Sequence, residues 1–458
     1  MKVYLETMGC QMNQLDSELV CSALRAAGHE MVDGPRSADV LLYNTCSVRQ
    51  HAEAKVHSRL GADSQRKLAG RKVLIGVLGC MAQREGSALV EQYPQIDLVV
   101  GPAQLDTLPA MIESAAAGRS VVAVDPPRAG KAQAGQDDFD ALDLSRDAAA
   151  TPSPSQAYVR IIRGCDKFCA YCVVPMVRGP EVSRDPRRIA AEVRRLVDAG
   201  RSEITLLGQT VNSYRWEGGG AAVRLGDLLA TLSPIAGLRR LRFVTSHPLD
   251  FGDDLLQAMR DLPNVCRYIH LPAQSGSDAV LARMNRRYSR AQYDELIDRI
   301  RAMLPDAVLA GDFIVGFPGE SEADHQASAG LIRRCGYKNT FIFKYSPRPG
   351  TSAARRFDDD VSEADKRRRN NELLAVQAEV GLAHHSRYIG QCVEVLVEGP
   401  SRRSNKQATP ARPEAMQLAG RTRGDHIVVL DGPRTLAGQY VQARITAATG
   451  LTLFGQLE

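Results

Sequence analysis

Residues 163–172 read Arg-Gly-Cys-Asp-Lys-Phe-Cys-Ala-Tyr-Cys, which places Cys165, Cys169 and Cys172 at the spacing Cys-x-x-x-Cys-x-x-Cys. Thiolates this close together can wrap one corner of a cubane iron–sulfur cluster, which usually takes a protein thiolate on every iron. One iron is then left without a protein ligand, and an open position is typical of a chemical site. Zinc-binding cysteine pairs usually lie farther apart, and packing cysteines are uncommon beside Lys and Arg. The motif therefore predicts a 4Fe–4S cluster with one open iron.

Length and composition limit the classes of protein to consider. A chain of 458 residues is longer than one ordinary domain, so we expect two or three domains. No apolar run has membrane-spanning length, and the N-terminus enters a strand pattern without the apolar core of a signal peptide. We therefore expect a cytoplasmic protein without a membrane partner, whose 10 cysteines are ligands or core residues. The net charge of +5 permits a nucleic-acid partner without requiring one.

A second set of cysteines follows predicted strands near the N-terminus. The segments 2–10, 39–46 and 72–80 each read as a buried strand followed at once by a cysteine. Helical patterns lie between the segments, which predicts a parallel α/β sheet with its ligand edge at the carboxyl ends of the strands. The cysteines at that edge again predict a cluster with one open iron, and packing cysteines are the alternative. These predicted ligands are Cys10, Cys46 and Cys80.

The middle of the chain predicts a partial barrel. Residues 126–156 are rich in Pro, Ala, Gly and Asp, which is typical of a linker. Beyond them, strand and helix patterns alternate and predict a partial parallel (β/α)6 barrel. The helix after the cysteine loop is the clearest, with Asp185 as its N-cap and Gly200 at its end. The predicted strands are 158–163, 203–207, 241–245, 267–271, 308–315 and 340–345.

Polar and glycine-rich segments follow several of these strands. They lie at the carboxyl edge, where barrel enzymes bind their ligands, and could hold a small polar cofactor. The candidate cofactor-binding residues are Gln209, Asn212, Gln274, Gly316 and Phe317. No side chain other than the cluster cysteines is assigned a catalytic role. The basic runs at 286–290 and 366–369 are dense enough to meet phosphates, and a solvated helix face is an equally good interpretation.

The last part of the chain predicts a small all-β barrel. From about residue 389 the pattern changes to short alternating strands at 393–397, 426–430 and 440–446. A small β-barrel lined with basic residues is a common way to hold RNA, and a structural cap is the alternative. The basic residues are Arg402, Arg403, Lys406, Arg412, Arg421 and Arg423. We expect Arg421 and Arg423 to contact RNA.

These motifs together resemble those of the radical S-adenosylmethionine methylthiotransferases. In that family an N-terminal three-Cys domain, a radical barrel and a small β domain called TRAM follow one another. Within it, the chain resembles the tRNA methylthiotransferases of the MiaB type. The matching motifs lie at 6–13, 44–49, 80–84, 164–169, 274–277, 345–350 and 420–422. The expected boundaries are 1–125, a linker at 126–156, 157–388 and 389–458.

The resemblance implies a tRNA-modifying enzyme. It would place a methylthio group on ring carbon 2 of N6-isopentenyladenosine beside the anticodon. That carbon carries an unactivated hydrogen, so the reaction needs a radical. The cluster at residues 165–172 would cleave S-adenosylmethionine, and the N-terminal cluster would hold the sulfur. The implied partners are the anticodon stem-loop of tRNA and an electron donor such as flavodoxin or ferredoxin, and not DNA.

The sequence leaves open other substrates for such an enzyme, and also one function that is not enzymatic. Related enzymes act on threonylcarbamoyl-adenosine in tRNA or on an aspartate of a ribosomal protein. The run Asp-Lys-Phe at 166–168 and the run Cys-Gln-Met at 10–12 favour the isopentenyl substrate. A non-catalytic iron–sulfur RNA-binding sensor is the alternative from another class, although a barrel with cofactor-like strand ends would be superfluous in it.

Overall fold

The N-terminal region folds into one parallel sheet, whose strand order decides which residues meet at its carboxyl edge. The computed structural model describes residues 1–47, 50–124, 140, 142–401 and 416–458. Within these residues the sheet has the order β2-β1-β3-β4-β5-β6, with parallel pairing throughout. Its strands are β1 Lys2–Met8, β2 Glu30–Met31, β3 Val40–Thr45, β4 Leu74–Gly79, β5 Leu98–Val100 and β6 Val121–Ala123.

Helices cover both faces of this sheet, which explains why the central strand β3 is buried along its whole length and begins with an apolar run. Leu42 packs in one cluster with Leu19, whereas the next residue back, Leu41, packs in another with Leu60. A parallel strand covered on both faces has no polar side, so its sequence reads as one hydrophobic run. The helices are Gln11–Ala26, Gln50–Leu68, Cys80–Glu85, Ser87–Gln92 and Leu108–Ala116.

The middle region confirms the partial parallel barrel. Its strands form two three-stranded halves, β13-β10-β7 and β14-β15-β16, and a parallel bridge from Leu241 to Val265 links them. The barrel strands are β7 Gln156–Arg160, β10 Glu203–Leu207, β13 Arg240–Phe243, β14 Tyr268–His270, β15 Val308–Val315 and β16 Asn339–Lys344. Short flanking strands are β8 Ile162–Arg163, β9 Val182–Ser183, β11 Arg215–Trp216 and β12 Val223–Arg224.

The helices of this region pack on the outside of the strands. In the helix Pro186–Asp198, the Asp185 side chain accepts a hydrogen bond from the Arg187 backbone amide at 2.8 Å, as the N-cap prediction expects. The buried Ile189 and Val193 of that helix join the main core. The other helices are Val174–Arg178, Leu225–Leu232, Asp253–Asp261, Asp278–Arg283, Arg290–Met303, Glu322–Cys335, Ser352–Arg356 and Glu363–Ser386.

The segment that the composition marks as a linker includes buried charged residues where the structure describes it. Arg146 is 4% exposed, and its guanidinium donates to Glu192 of the barrel at 3.1 Å and also to Glu18 of the N-terminal domain. Asp143 is fully buried and accepts from Arg160 at 2.6 Å. This part of the segment therefore helps to join the two domains. The contacts of Arg146 and Asp143 are ionic, so no hydrophobic period marks them in the sequence, although Leu142 adds an apolar contact to the N-terminal core.

The C-terminal region forms the predicted small barrel. Its strands close in the order β17-β18-β19-β21-β20 around apolar residues such as Val395 and Leu418. The strands are β17 Cys392–Pro400, β18 Met416–Arg421, β19 Ile427–Gly432, β20 Tyr440–Ala448 and β21 Thr452–Leu457. The sequence pattern missed β18 and β21, which contain glycines and only short apolar runs. Residues 48–49 of the matching motifs and the predicted basic residues Arg402, Arg403, Lys406 and Arg412 lie outside the described residues.

Buried arginines of β13 dock this barrel onto the amino end of the central barrel. Arg240 and Arg242 donate to the carbonyl oxygens of Arg421 and Arg423, each at 2.9 Å. Both donors are under 5% exposed, so this seam is built from charge-assisted hydrogen bonds. Among the described helices, none has both the length and the apolar composition needed to cross a bilayer.

Candidate functional site

The predicted N-terminal cysteines meet because three strands end in register. Met8 of β1 pairs with Thr45 of β3, and Thr45 pairs with Gly79 of β4. Cys46 and Cys80 are the next residues after their strands, and Cys10 lies two residues after Met8. The convergence predicted from strand-then-Cys segments is therefore present, and we call this set the N-terminal triad.

Close backbone packing holds the N-terminal triad together. Gly79 has a φ of +91°, and a Cβ there would lie 2.7 Å from the Thr45 carbonyl oxygen, so only glycine fits. Asn13 donates through Nδ2 to Asn44 Oδ1 and to the Thr45 carbonyl, both at 2.9 Å. The Cys10 thiol donates to Asn13 Oδ1 at 3.2 Å. The loops that carry the thiols are thus tied to one another by buried amides.

The electrostatics of the N-terminal triad favour one thiolate. A hydrogen bond from Cys46 is the main reason that the pKa of Cys10 falls to about 6, and the nearby Arg178 adds to the effect. Burial raises the pKa of Cys80, although Arg178 opposes the rise. Since the thiolate is the form that ligates metal, Cys10 is already prepared to bind.

The second set of cysteines, which we call the radical triad, lies on a loop after β8. Gly164 turns the chain into this loop with a φ of +77°, and a Cβ there would overlap the Pro180 carbonyl. The Cys165 backbone amide donates to the Gly179 carbonyl at 3.1 Å. Phe168 adopts a φ of +50°, which lets the chain turn back toward Cys169. The loop conformation is therefore fixed by the backbone on both sides.

The thiols of the radical triad are crowded, and Cys165 is buried whereas Cys169 and Cys172 are partly buried. Burial, followed by the proximity of Cys169, raises the pKa of Cys172 to about 12. Burial also raises the pKa of Cys165, whose sulfur lies 3.5 Å from Thr210 Oγ1. Neighbouring thiols resist joint ionisation unless a cation offsets their like charges. The donor set of closely spaced sulfurs therefore fits an iron–sulfur cluster.

A buried arginine links the helix after the radical triad to the N-terminal triad. Arg178 ends the helix that follows the radical triad, and its Nε donates to the Cys80 sulfur at 3.3 Å. Its Nη2 also donates to Asp16 Oδ2 at 2.8 Å. Val177 of the same helix and Val173, which precedes it, pack against Cys80. The segment that follows the radical triad thus packs directly against the N-terminal triad at the contact between the two domains.

Two of the predicted cofactor residues follow β10. Asn212 donates to the His247 carbonyl and accepts from the His247 amide, both at 2.8 Å, so its amide fixes the neighbouring strand end. Gln209 behaves differently, because its Oε1 is buried and has no hydrogen-bond partner among the described residues. The Ser246 hydroxyl, which follows β13, is also buried and also has no hydrogen-bond partner among the described residues. These orphaned polar atoms fit a polar cofactor at the strand ends.

The remaining cofactor candidates make close contacts with protein groups. Gln274 has a φ of +69° and bridges to Phe313, so its backbone is held at the end of β14. Gly316 allows Lys366 to approach, since a Cβ would lie 2.3 Å from Lys366 Cγ. Phe317 is fully buried against Tyr345, with ring centroids 5.0 Å apart. Cofactor contact by Gly316 and Phe317 therefore stays a prediction, and the buried Phe317 side chain supports the radical loop from behind.

The basic runs at 286–290 and 366–369 each contain a residue that is buried. Both interpretations of these runs, phosphate contact and a solvated helix face, assumed exposed side chains. Arg286 is 5% exposed, and its Nη1 donates to the Cys169 sulfur at 3.4 Å. Lys366 is also buried and pairs with Asp359 at 2.6 Å. The sequence analysis missed Arg178 and Arg286 as site residues. A run of basic residues does not show which one turns inward, although the position of Arg178 just after the cysteine motif is a signal that could have found it.

The predicted RNA contacts, Arg421 and Arg423, make contacts within the protein. Arg421 donates to Asp425 Oδ1 at 2.9 Å and to Glu398 Oε1 at 3.2 Å. Arg423 donates to the Pro263 carbonyl of the central barrel. RNA contact by these two side chains stays a prediction; the Arg421 side chain pairs within the C-terminal barrel, and the Arg423 side chain ties that barrel to the central one.

Three family models match successive parts of the chain. They are an uncharacterised protein family, UPF0004, at residues 2–101, the Radical SAM superfamily at 159–332 and the TRAM domain at 386–457. A relative from Rhodopirellula baltica, named tRNA-2-methylthio-N(6)-dimethylallyladenosine synthase, is 47% identical over 100% of this chain and 95% of its own length. Relatives with the same name from Jannaschia sp. and Geobacter metallireducens are 44% and 42% identical, over 100% and 99% of this chain and 94% and 98% of their own length.

Solved structures share the fold. A structure of the radical S-adenosylmethionine methyltransferase TsrM from Kitasatospora setae has a TM-score of 0.56 and 16% identity, and the match covers 77% of this chain and 75% of that chain. The cobalamin-dependent S-adenosylmethionine radical enzyme OxsB has a TM-score of 0.50 and 13% identity, with 82% and 56% covered. At these identities the likeness concerns the fold alone.

Proposed function

Because the chain belongs to the tRNA-2-methylthio-N(6)-dimethylallyladenosine synthase family, we propose that it methylthiolates N6-isopentenyladenosine, the dimethylallyl-modified adenosine, in tRNA. The product carries a methylthio group on ring carbon 2. That carbon bears a hydrogen with no acidic or leaving-group character, so ordinary acid–base or nucleophilic catalysis has nothing to act on.

The observation that carries the proposal is the presence of two separate cysteine triads at one domain contact. The N-terminal triad ends three strands of one domain, and the radical triad lies on a loop of another. Arg178, in the domain of the radical triad, donates a hydrogen bond to the Cys80 sulfur of the N-terminal triad at 3.3 Å. A reaction that needs both a radical source and a sulfur source requires two such sites near one substrate.

In this proposal each triad binds one 4Fe–4S cluster. Cys165, Cys169 and Cys172 would hold one, and Cys10, Cys46 and Cys80 would hold the other. Together with S-adenosylmethionine, these groups supply the one-electron chemistry that can break an unactivated carbon–hydrogen bond. The protein orients the thiols through the Asn13–Asn44 amides on one side and the turn at Gly164 on the other. The free acceptor Gln209 Oε1 is suited to receive a hydrogen bond from the cofactor.

The proposed partners follow from the proposed methylthiolation of tRNA. The RNA is the anticodon stem-loop of tRNA, and the C-terminal barrel supports an RNA substrate through its match to the TRAM domain. An electron donor of the flavodoxin or ferredoxin kind would reduce the radical cluster. We place the reaction in the cytoplasm, where cysteine thiols stay reduced.

Mass analysis of tRNA nucleosides tests the substrate directly. In a strain that lacks this chain, we expect the methylthio group to disappear from isopentenyladenosine alone. Return of the parent gene should restore it, whereas a gene with Cys80→Ala should not. If the methylthio group is lost instead from threonylcarbamoyl-adenosine or from a ribosomal-protein aspartate, the proposed substrate is wrong. If no methylthio group changes anywhere, a non-catalytic sensor becomes the better reading.

A further inference from the structure

Arg286 is a buried cation without a carboxylate partner. It is 5% exposed, and within the part of the chain that the structure describes no ion pair joins it to an Asp or Glu. Several other buried arginines of this protein do have such partners, for example Arg160 with Asp16 at 2.9 Å. Placing an unpaired guanidinium away from water is costly, so an anion is expected beside it.

The hydrogen bonds of Arg286 aim its charge at the radical triad. Its Nη2 donates to the Pro272 carbonyl at 2.8 Å, and its Nε donates to the Tyr288 hydroxyl oxygen at 3.1 Å. The Tyr288 hydroxyl in turn donates to the Ala273 carbonyl at 2.8 Å. These neutral groups fix the plane of the guanidinium and leave Nη1 to donate to the Cys169 sulfur at 3.4 Å.

An iron–sulfur cluster held by three thiolates is the anion that this geometry fits. The negative charge of the three thiolates exceeds the positive charge of the cubane core, so the ligated cluster is an anion. Each electron that it takes up makes it more negative. Net charge and hydrogen bonds to the sulfurs are among the factors that set the reduction potential of a cluster. A fixed cation that donates to a ligand sulfur favours the reduced form.

Arg178 provides a contrast at the other triad. It also donates to a cysteine sulfur, that of Cys80 at 3.3 Å. However, Asp16 lies 2.8 Å from its Nη2 and offsets its charge. Two otherwise similar arginine–cysteine contacts thus differ in net charge.

We propose that Arg286 is the countercharge of the radical-triad cluster and, acting through Cys169, makes that cluster easier to reduce. It is a positioning residue, because it acts through a ligand and not on the substrate. The step concerned is the uptake of one electron from a low-potential donor, in which no bond of the protein forms or breaks. This inference rests on the proposed function only in requiring a cluster at the radical triad.

The test is a redox titration of the full-length, anaerobically reconstituted chain. Titanium(III) citrate serves as the reductant, and electron paramagnetic resonance follows the signal that changes when S-adenosylmethionine is added, which identifies the radical cluster. We expect Arg286→Met to make one-electron reduction about tenfold less favourable, a midpoint potential lower by about 59 mV. Arg286→Lys keeps the charge and should shift the potential less.

Arg287→Met is the matched control, because it removes an exposed charge at the adjacent position. Its potential should equal that of the parent. If Arg286→Met also leaves the potential unchanged, the inference is overturned. If Arg286→Met loses the radical-cluster iron while Arg286→Lys retains it, a charge requirement is supported. If both lose it although their thermal unfolding matches the parent, the shape of the guanidinium and not its charge is required, and the inference fails.

The parent protein separates this inference from the proposed function. A parent that holds no iron at the radical triad would sink the proposed function itself. A parent that holds the cluster, with a potential indifferent to Arg286, would sink only the inference about Arg286.

Discussion

The guanidinium of Arg178 lies 3.3 Å from the sulfur of Cys80, although the two residues belong to different domains. Arg178 ends the helix that follows the loop of the radical triad, and Cys80 begins the helix after β4. Asp16, which is fully buried, fixes the other side of the same guanidinium. This contact links the helix after the radical triad to the N-terminal triad.

Replacing Arg178 should weaken the domain contact. Among the described residues, Arg178→Met leaves the buried Asp16 carboxylate with Arg160 as its one remaining ion-pair partner, so we expect the free energy of unfolding to fall by about 3 kcal/mol in urea denaturation. Arg187→Met is the control, because Arg187 pairs with Asp185 at the surface and should change little. Equal stability of the two variants would show that the Arg178 contact does not hold the domains.

Iron content should report both triads. The reconstituted parent should hold about eight irons, on the stoichiometry of two 4Fe–4S clusters. Replacing Cys165, Cys169 and Cys172 together by Ala should halve the iron and abolish cleavage of S-adenosylmethionine. Replacing Cys335, a buried core cysteine with no predicted ligand role, by Ser should leave the iron unchanged. Full iron in the triple variant would contradict the ligand assignment.

Acidification should loosen the seam of the C-terminal barrel. His384 Nε2 lies 2.9 Å from His426 Nε2, and burial lowers the pKa of His384 to about 4 and that of His426 to about 2. A free histidine side chain has a pKa of about 6.5. As the pH falls, these histidines therefore take up protons at a higher pH in the unfolded state than in the folded state. The stability contributed by the neutral pair is complete above that pH and is lost as the pH falls toward the folded-state values.

Thermal unfolding between about pH 7 and about pH 5 checks this, since the carboxylates titrate mostly below that range. His426→Gln should flatten the dependence, even though Lys338 and Asp425 still face the seam. His57→Gln, in the N-terminal domain, should keep the parent's dependence. A slope in His426→Gln as steep as in the parent would rule out this pair as the source.

The docking role of Arg423 can be separated from RNA binding. Arg423→Met removes the hydrogen bond to the Pro263 carbonyl, so we expect a lower unfolding temperature. The slope of log tRNA affinity against log salt should stay as in the parent, because no phosphate contact is lost. Arg434→Met, an exposed change in the same domain, should leave the unfolding temperature unchanged. A shallower salt slope with an unchanged unfolding temperature would instead make Arg423 an RNA contact, as first expected from the sequence.

Features with a strict local pattern could be predicted from the sequence. A buried strand followed by a cysteine fixes Cys46 and Cys80 at one sheet edge, because parallel strands leave no other place for their ends. Buried ion pairs could not be predicted in this way. Arg146 lies in a segment whose composition is that of a linker, and its partner Glu192 is distant in sequence. The burial of the Phe317 ring could not be predicted for a related reason, since the sequence marks a strand end and not whether the ring there turns toward a ligand or into the core.

The central claim is that the two triads have different roles. It is tested most directly by measuring both S-adenosylmethionine cleavage and methylthio product in one variant. Cys10, Cys46 and Cys80 are replaced together by Ala in the full chain, and the variant is reconstituted anaerobically and shown to be folded. We expect it to cleave S-adenosylmethionine at the rate of the parent and to form no methylthio product on isopentenyladenosine-containing tRNA. Loss of both activities, or retention of the methylthio product, would contradict the division of roles.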